Sequence, residues 1–340
     1  AATSLTISNI NGDVDEEYQL ICRVINGDNN QVIELTFNGV AGTSYGYQLL
    51  KGSSATASAA RVTANNYILL SDEQTGTIGN ICFIETLIHA KSGYIRTVIN
   101  NSCGRISGTT VSDIHSVGGV FNNTADNIIS LKVGGTTNGL GIGSRFILLK
   151  KVTSTSGMKT GALEVQGSVY GTWQKVYSTT LGAAATSVTI SGLDGNTDVM
   201  YRLTCRIVNA VTSSLFWIRM NNNTSTDSGA QMLNGVGATS AASRFTYTNN
   251  ARFDLYVDSL YDSGYLTYTE TLLYAKSGYV RTAISKIASG ITGTTVTETG
   301  VLGCVWNETS TNLTSIFVSS NSSSAIGIGT YIYLEKLVLS

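Results

Sequence analysis

The chain contains itself twice. Ala90 to Thr97 read AKSGYIRT and Ala275 to Thr282 read AKSGYVRT, and the match extends in both directions. ATSLTI from Ala2 returns as ATSVTI from Ala185, YQLICRVIN from Tyr18 as YRLTCRIVN from Tyr201, ISGTTV from Ile106 as ITGTTV from Ile291, and GIGS from Gly141 as GIGT from Gly327. The register drifts only from 183 to 186 residues. Solenoid units run about 20 to 50 residues, so a repeat of this length reads as a duplicated domain. The expected layout is a first domain over 1–152, a linker over 153–172 and a second domain over 173–340. A residue found in one copy only is not what the fold requires, which gives an internal control on every candidate site.

Charged residues make up 13% of the chain, the formal net charge is -1, and no run of Lys or Arg occurs. That leaves no electrostatic footprint for nucleic acid or an anionic membrane surface. No stretch approaches the roughly 18 to 20 apolar residues of a membrane helix, so membrane insertion is not expected. Of the five cysteines only Cys22 and Cys205 are equivalent. A disulfide framework would recur in both copies, so free, buried thiols are expected.

Period-two alternation dominates. Tyr18, Leu20, Cys22 and Val24 form one apolar strand face with Gln19 and Arg23 on the other, and Tyr201, Leu203, Cys205 and Ile207 repeat it. Further strands are read at Ile33–Phe37, Phe216–Met220, Tyr67–Leu70, Ile81–Ile88, Tyr94–Ile99, Thr110–Phe121, Ile128–Val133 and Arg145–Val152. About nine strands per copy, no helix and turns rich in Gly, Asn, Ser and Thr predict an all-β chain: two tandem antiparallel jelly-roll-like β-sandwich domains arising from an internal duplication. Trp173 to Ala183 alternates as a strand ahead of the second copy, and nothing matches it ahead of the first. An open sheet edge is therefore expected beside Ser4 to Ile10, filled by a strand from a neighbouring subunit or else by Ala162 to Val169.

Four elements in order, TSLTISNI and TSVTISGL, FNGVAGTSYGYQ, ETLIHAKSGYIRT, and GIGS running into Leu and Lys, resemble a family of β-sandwich domains in tail, fibre and other virion structural proteins of bacteriophages and prophages. The second copy departs by carrying MNNNTSTDSGAQ in place of FNGVAGTSYGYQ. The resemblance implies a non-enzymatic virion component, such as a capsid decoration, fibre or tail-surface protein. Its partners would be other virion proteins and copies of itself. The alternative is a lectin-like receptor-binding module for a host-surface glycan.

The residues offer little chemistry. Asp113 and His115 share a strand face, but the second copy has Glu298 and Gly300 there and no nucleophile is implied, so no catalytic residue is assigned. Neither Cys nor His occurs at zinc-ligand spacing. Asp13 and Asp15, with Asp194 and Asp198 in the repeat, are weak calcium candidates on flexible oxygen-rich loops, though an Asn-Gly or Asp-Gly turn looks the same without an ion. No other cofactor is expected. Glu85 with Arg96, and Glu270 with Arg281, recur in the hairpin and are expected to form a cross-strand ion pair that holds it. Tyr45 and Tyr47 flank Gly46 and have Ser228 and Ala230 as counterparts, which makes them binding candidates rather than fold requirements.

Overall fold

The computed structural model describes residues 1–73, 76–135, 139–152, 162–165, 171–224, 227–236, 239–246, 252–255, 262–293 and 295–339. In the first half the strands are β1 (Ser4–Ser8), β2 (Glu17–Ile25), β3 (Gln31–Phe37), β4 (Tyr45–Ser53), β5 (Thr56–Asn65), β6 (Ile68–Glu73), β7 (Ile81–His89), β8 (Arg96–Ile106), β9 (Asp113–Phe121), β10 (Ser130–Gly134), β11 (Arg145–Val152) and β12 (Ala162–Val165). A single helical turn, α1 (Gly12–Asp15), interrupts them in the acidic loop. The second half runs β13 (Gly171–Thr180), β14 (Ser187–Ser191), β15 (Met200–Val208), β16 (Phe216–Met220), β17 (Ser228–Val236), β18 (Thr239–Thr246), β19 (Phe253–Asp254), β20 (Leu266–Tyr274), β21 (Arg281–Ile291), β22 (Glu298–Trp306), β23 (Ser315–Ser320) and β24 (Tyr331–Leu339).

Each half is a sandwich of a four-stranded and an eight-stranded antiparallel sheet. The first has orders β1-β10-β3-β6 and β12-β11-β2-β7-β8-β9-β4-β5, the second β14-β23-β16-β19 and β13-β24-β15-β20-β21-β22-β17-β18. The chain crosses between sheets at seven of the eleven strand connections in the first half and eight of the eleven in the second, following the jelly-roll path. Its departures from an eight-stranded roll are a three-strand meander, β7-β8-β9 or β20-β21-β22, and extra strands on one edge. The turn of the AKSGY hairpin rests on Gly93 and Gly278, both at φ 84, a left-handed conformation that favours glycine.

The two large sheets face each other, so the molecule has four layers. Leu20, Cys22 and Val24 of β2 meet Ile33, Leu35 and Phe37 of β3 inside the first sandwich. Leu203, Cys205 and Ile207 of β15 meet Phe216, Ile218 and Met220 inside the second. Between the halves, Ile21, Phe83, Cys103 and Leu149 pack with Met200, Leu272, Ile284 and Val305. Fully burying side chains of this size contributes about 1.5 to 3 kcal/mol each. The middle layer explains why β2 is buried on both faces, Gln19 and Arg23 included, while its counterpart β15 alternates and leaves Arg206 exposed.

The strand that precedes the second copy does not belong beside Ser4 to Ile10, where β1 ends its four-stranded sheet just as β14 ends its own. The strand ahead of the second copy, β13, lies in the large sheet against β24 and not beside β14. The matching place beside β11 is taken by the chain's own Ala162–Val165, paired Leu149 to Val165 through Val152 to Ala162. Part of the segment read as a linker is thus a strand; residues 153–161 and 166–170 lie outside the described residues.

All five cysteines are buried thiols outside any disulfide. Burial pushes the Cys22 thiol up and the Cys205 thiol to about 12. Native protein is therefore expected to resist thiol-modifying reagents until it unfolds. Rapid labelling of Cys22 or Cys205 in folded protein, read by peptide mass spectrometry, would contradict their placement.

Candidate functional site

The sequence candidates are mostly consumed by the fold. Tyr45 lies in the core, its ring stacked on Phe121 at 4.7 Å and its hydroxyl accepting from the Phe37 amide at 2.9 Å. Burial pushes its hydroxyl up to about 12. It is a core residue and cannot meet a ligand. Tyr47 is half-buried and stacks on Tyr67 at 6.5 Å. Beside Tyr67, a hollow of about 270 Å³ is lined by Glu34, Thr36, Asn66 and Lys132.

The four acidic calcium candidates are bonded within the chain. Tyr18 donates to Asp15 at 2.6 Å and Tyr201 to Asp198 at 2.5 Å, and Lys150 and Lys336 reach the same carboxylates at 3.3 and 3.1 Å. Asp13 accepts the Ser92 amide, and Asp194 accepts from Asn196, Thr197 and Asn312. Those bonds hold both carboxyls below the usual range. Among the described residues, no group of three or more His, Cys, Asp or Glu side chains could hold a metal ion. Asp15 and Asp198 secure the loops to the strands that follow them, Asp13 ties its loop to the hairpin at Ser92, and Asp194 bonds within its own loop and to Asn312.

The Glu–Arg hairpin pairs do not form. Glu85 sits opposite Asn101 and Glu270 opposite Lys286, whereas Arg96 sits opposite Phe121 and Arg281 opposite Trp306. Five residues of strand, about 16 Å, separate Asn101 from Arg96. Arg281 is fully buried, donates to the carbonyls of Ala275, Glu308 and Thr311, and lies over the Trp306 ring at 4.8 Å. Arg96 likewise donates to the Ala90 and Asp126 carbonyls. Glu85 instead crosses between the halves to Lys286 at 2.9 Å and accepts from Gln19 at 2.8 Å, and Lys286 also reaches Glu270 at 3.4 Å.

His115 is buried in the first half beside Ser102, 3.2 Å from its Nδ1, and Asp113 is bound by Arg105. Burial outweighs the neighbouring Asp113 and lowers the imidazole to about 4. The unfolded chain therefore takes up a proton near pH 6.5 that the folded chain refuses until about pH 4. Stability is expected to fall by up to about 3 kcal/mol as pH drops through this window, from this residue alone. Urea unfolding from pH 7 to 4 checks it: His115→Phe should show a shallower decline than the parent, and parallel curves would contradict the placement.

What sequence reasoning missed is apolar surface. On the outer face of the first half's large sheet, Glu17, Leu87, His89, Thr97 and Ile99 border a hollow of about 200 Å³. Leu87 and Ile99 are 45% and 59% exposed, and Tyr94 and Ile95 stand exposed at the adjoining hairpin. On the second half Tyr268, Val296 and Tyr331 are exposed. The signal was available: Leu87 and Leu272, and Ile99 and Ile284, are apolar in both copies on the face that alternation assigns to solvent.

No protein-family model matches the chain, and no curated protein does. Solved structures give faint likenesses. One is titled "Structure of infectious bursal disease virus Gt strain", at 10% identity over 91% of this chain and 81% of that one, with a TM-score of 0.13. The infectious bursal disease virus VP2 subviral particle gives 8% identity, 99% and 81% coverage and a TM-score of 0.10. The beta domain of the Bordetella autotransporter BrkA gives 9% identity, 79% and 100% coverage and a TM-score of 0.12. Similarity at this level carries no argument about fold or function.

Proposed function

We propose that this chain is a non-catalytic structural component of a virus particle, a bacteriophage particle by the sequence resemblance, acting through contacts with copies of itself and neighbouring proteins. The observation that carries the reading is the way the surface is divided. The loop acids Asp15 and Asp198, the hairpin arginines and His115 are engaged inside the chain, while Leu87, Ile99 and Tyr268 stand exposed on broad sheet faces and Ile95 at the hairpin beside Leu87 and Ile99. Clustered apolar surface of this kind marks contact with another macromolecule. Proteomics of density-purified particles should find the chain at a fixed copy number; its confinement to the non-particulate fraction would sink the proposal.

A second reading, glycan binding on a particle surface, is supported by the hollow beside Tyr67, which joins an aromatic ring to Glu34, Asn66 and Lys132. A glycan array separates the two. Binding abolished by Tyr67→Ala favours the lectin, and a blank array removes it.

A further inference from the structure

Part of the outer edge of β11 lacks a partner strand among the described residues, and the repeat shows what fits there. In the second half, Tyr177 to Thr180 of β13 pair with Leu334 to Tyr331 of β24. Leu181 then closes the ladder: its amide donates to the Thr330 carbonyl and its carbonyl accepts from the Gly329 amide, both at 2.9 Å. Val176, Tyr177 and Leu181 pack on the core that holds Val188, Ile326 and Ile332. In the first half β12 pairs only with Leu149 to Val152. Arg145 to Leu148, the counterparts of Tyr331 to Leu334, pair with β2 on one side and with no described residue on the other.

The core beneath shows the same gap. A hollow of about 340 Å³ opens between the starts of β1 and β11, with Leu5, Leu140, Ile142 and Phe146 in its lining. Leu5 is 37% exposed where its counterpart Val188 is 8%, and Phe146 is half-buried where Ile332 is fully buried. The backbone is already set to receive a strand. Gly143 and Gly329 share a left-handed conformation, at φ 89 and 81, and the turns that carry them close alike, from Ser144 to Gly141 at 3.2 Å and from Thr330 to Gly327 at 3.1 Å. The Gly143 amide and the Ser144 carbonyl are thus presented as the partners of Leu181 are in the repeat, yet neither has a partner among the described residues. Unpaired edge groups of this kind take up a further strand.

We propose that this edge binds an extended strand of a partner protein, with a small residue opposite Phe146 and, two positions on, a leucine that fills the hollow over Leu5 while its main chain bonds Gly143 and Ser144. A second copy could offer its own β13 only by stripping that strand from β24 and opening its second core, so the occupant is a different protein. The proposal rests on the reading of the chain as an assembly component and adds the chemistry of one contact.

The test uses the intact purified chain and a fluorescent peptide copying Val176–Ala183. Anisotropy should show saturable binding that Leu5→Asp weakens by about tenfold or more, with unchanged melting as the sign that the fold is kept. N-methylation of the peptide's leucine, which removes the donor to Ser144, should weaken it as much, and the peptide with Leu181→Asp should not bind. Hydrogen exchange should slow at the Gly143 amide when the peptide saturates the chain. Absence of binding up to about 1 mM peptide, binding indifferent to Leu5→Asp, or a Gly143 amide that exchanges as before overturns the proposal. So does self-association of the intact chain that Leu5→Asp abolishes while no peptide binds, since the occupant is then a second copy. Presence of the chain in particles is measured separately, so failure here leaves the virion reading standing.

Discussion

Arg281→Ala is expected to lower the stability of the second half by about 3 to 5 kcal/mol, while Glu270→Ala costs less than about 1. The contrast follows from where each side chain ends. Arg281 is fully buried and its planar fork spans three main-chain carbonyls, of Ala275, Glu308 and Thr311, joining the hairpin to the loop after β22. Removing it strands those carbonyls without donors, each at a cost of about 1 to 3 kcal/mol. Glu270 is about one-third exposed and, among the described residues, its ion pair is with Lys286, which retains Glu85. Arg281→Lys should recover only part of the loss, because an ammonium cannot reach three divergent acceptors as the fork does. Chemical denaturation of the single and double variants decides the matter. Equal losses for Glu270→Ala and Arg281→Ala with strong coupling would restore the hairpin ion pair read from the sequence.

That mistaken pairing marks the boundary of what the sequence could reveal. Alternation along β2 and β3 exposed the sandwich, since Leu20, Cys22, Ile33 and Leu35 are spaced for one buried face. Proximity of Glu85 and Arg96 in the sequence suggested a bond, but strand register decides partners, and register depends on where the hairpin closes. β5 escaped notice because Thr56–Asn65 is an exposed edge strand of small residues with no apolar face to announce it. The acidic loops looked like ion sites because carboxylates meant for Tyr18, Tyr201 and lysines are indistinguishable in sequence from carboxylates meant for a cation. The interface between the halves was hidden for a related reason. Ile21 in one copy and Thr204 in the other read as an ordinary variation on a solvent face, yet Ile21 is buried against the second half and Thr204 is not.

Gly303→Val is expected to uncouple the two halves while leaving each sandwich folded. The backbone of β22 at Gly303 lies directly on Cys103 of β8, and any Cβ there would overlap the Cys103 side chain. Gly229 is placed in the same way under the Thr109 carbonyl, so glycine is what lets the second large sheet approach the first. The first half presents a cysteine side chain and a main-chain carbonyl at these points, neither of which can swing aside as a flexible side chain would. Overpacking a close contact costs about 1 to 3 kcal/mol and at times more, and here the sheets relieve it only by separating along the layer that Phe83, Leu272 and Ile284 fill. The cores around Leu20 and Leu203 lie on the far sides of the two sheets and lose nothing directly. Calorimetry should therefore turn a single cooperative transition into two, with fluorescent apolar dyes reporting newly exposed surface. Cys103→Gly in the same chain should return part of the coupling by making room for the new side chain, a non-additive rescue expected only of residues in contact. An unchanged single transition in Gly303→Val would mean that the two sheets do not meet at this point.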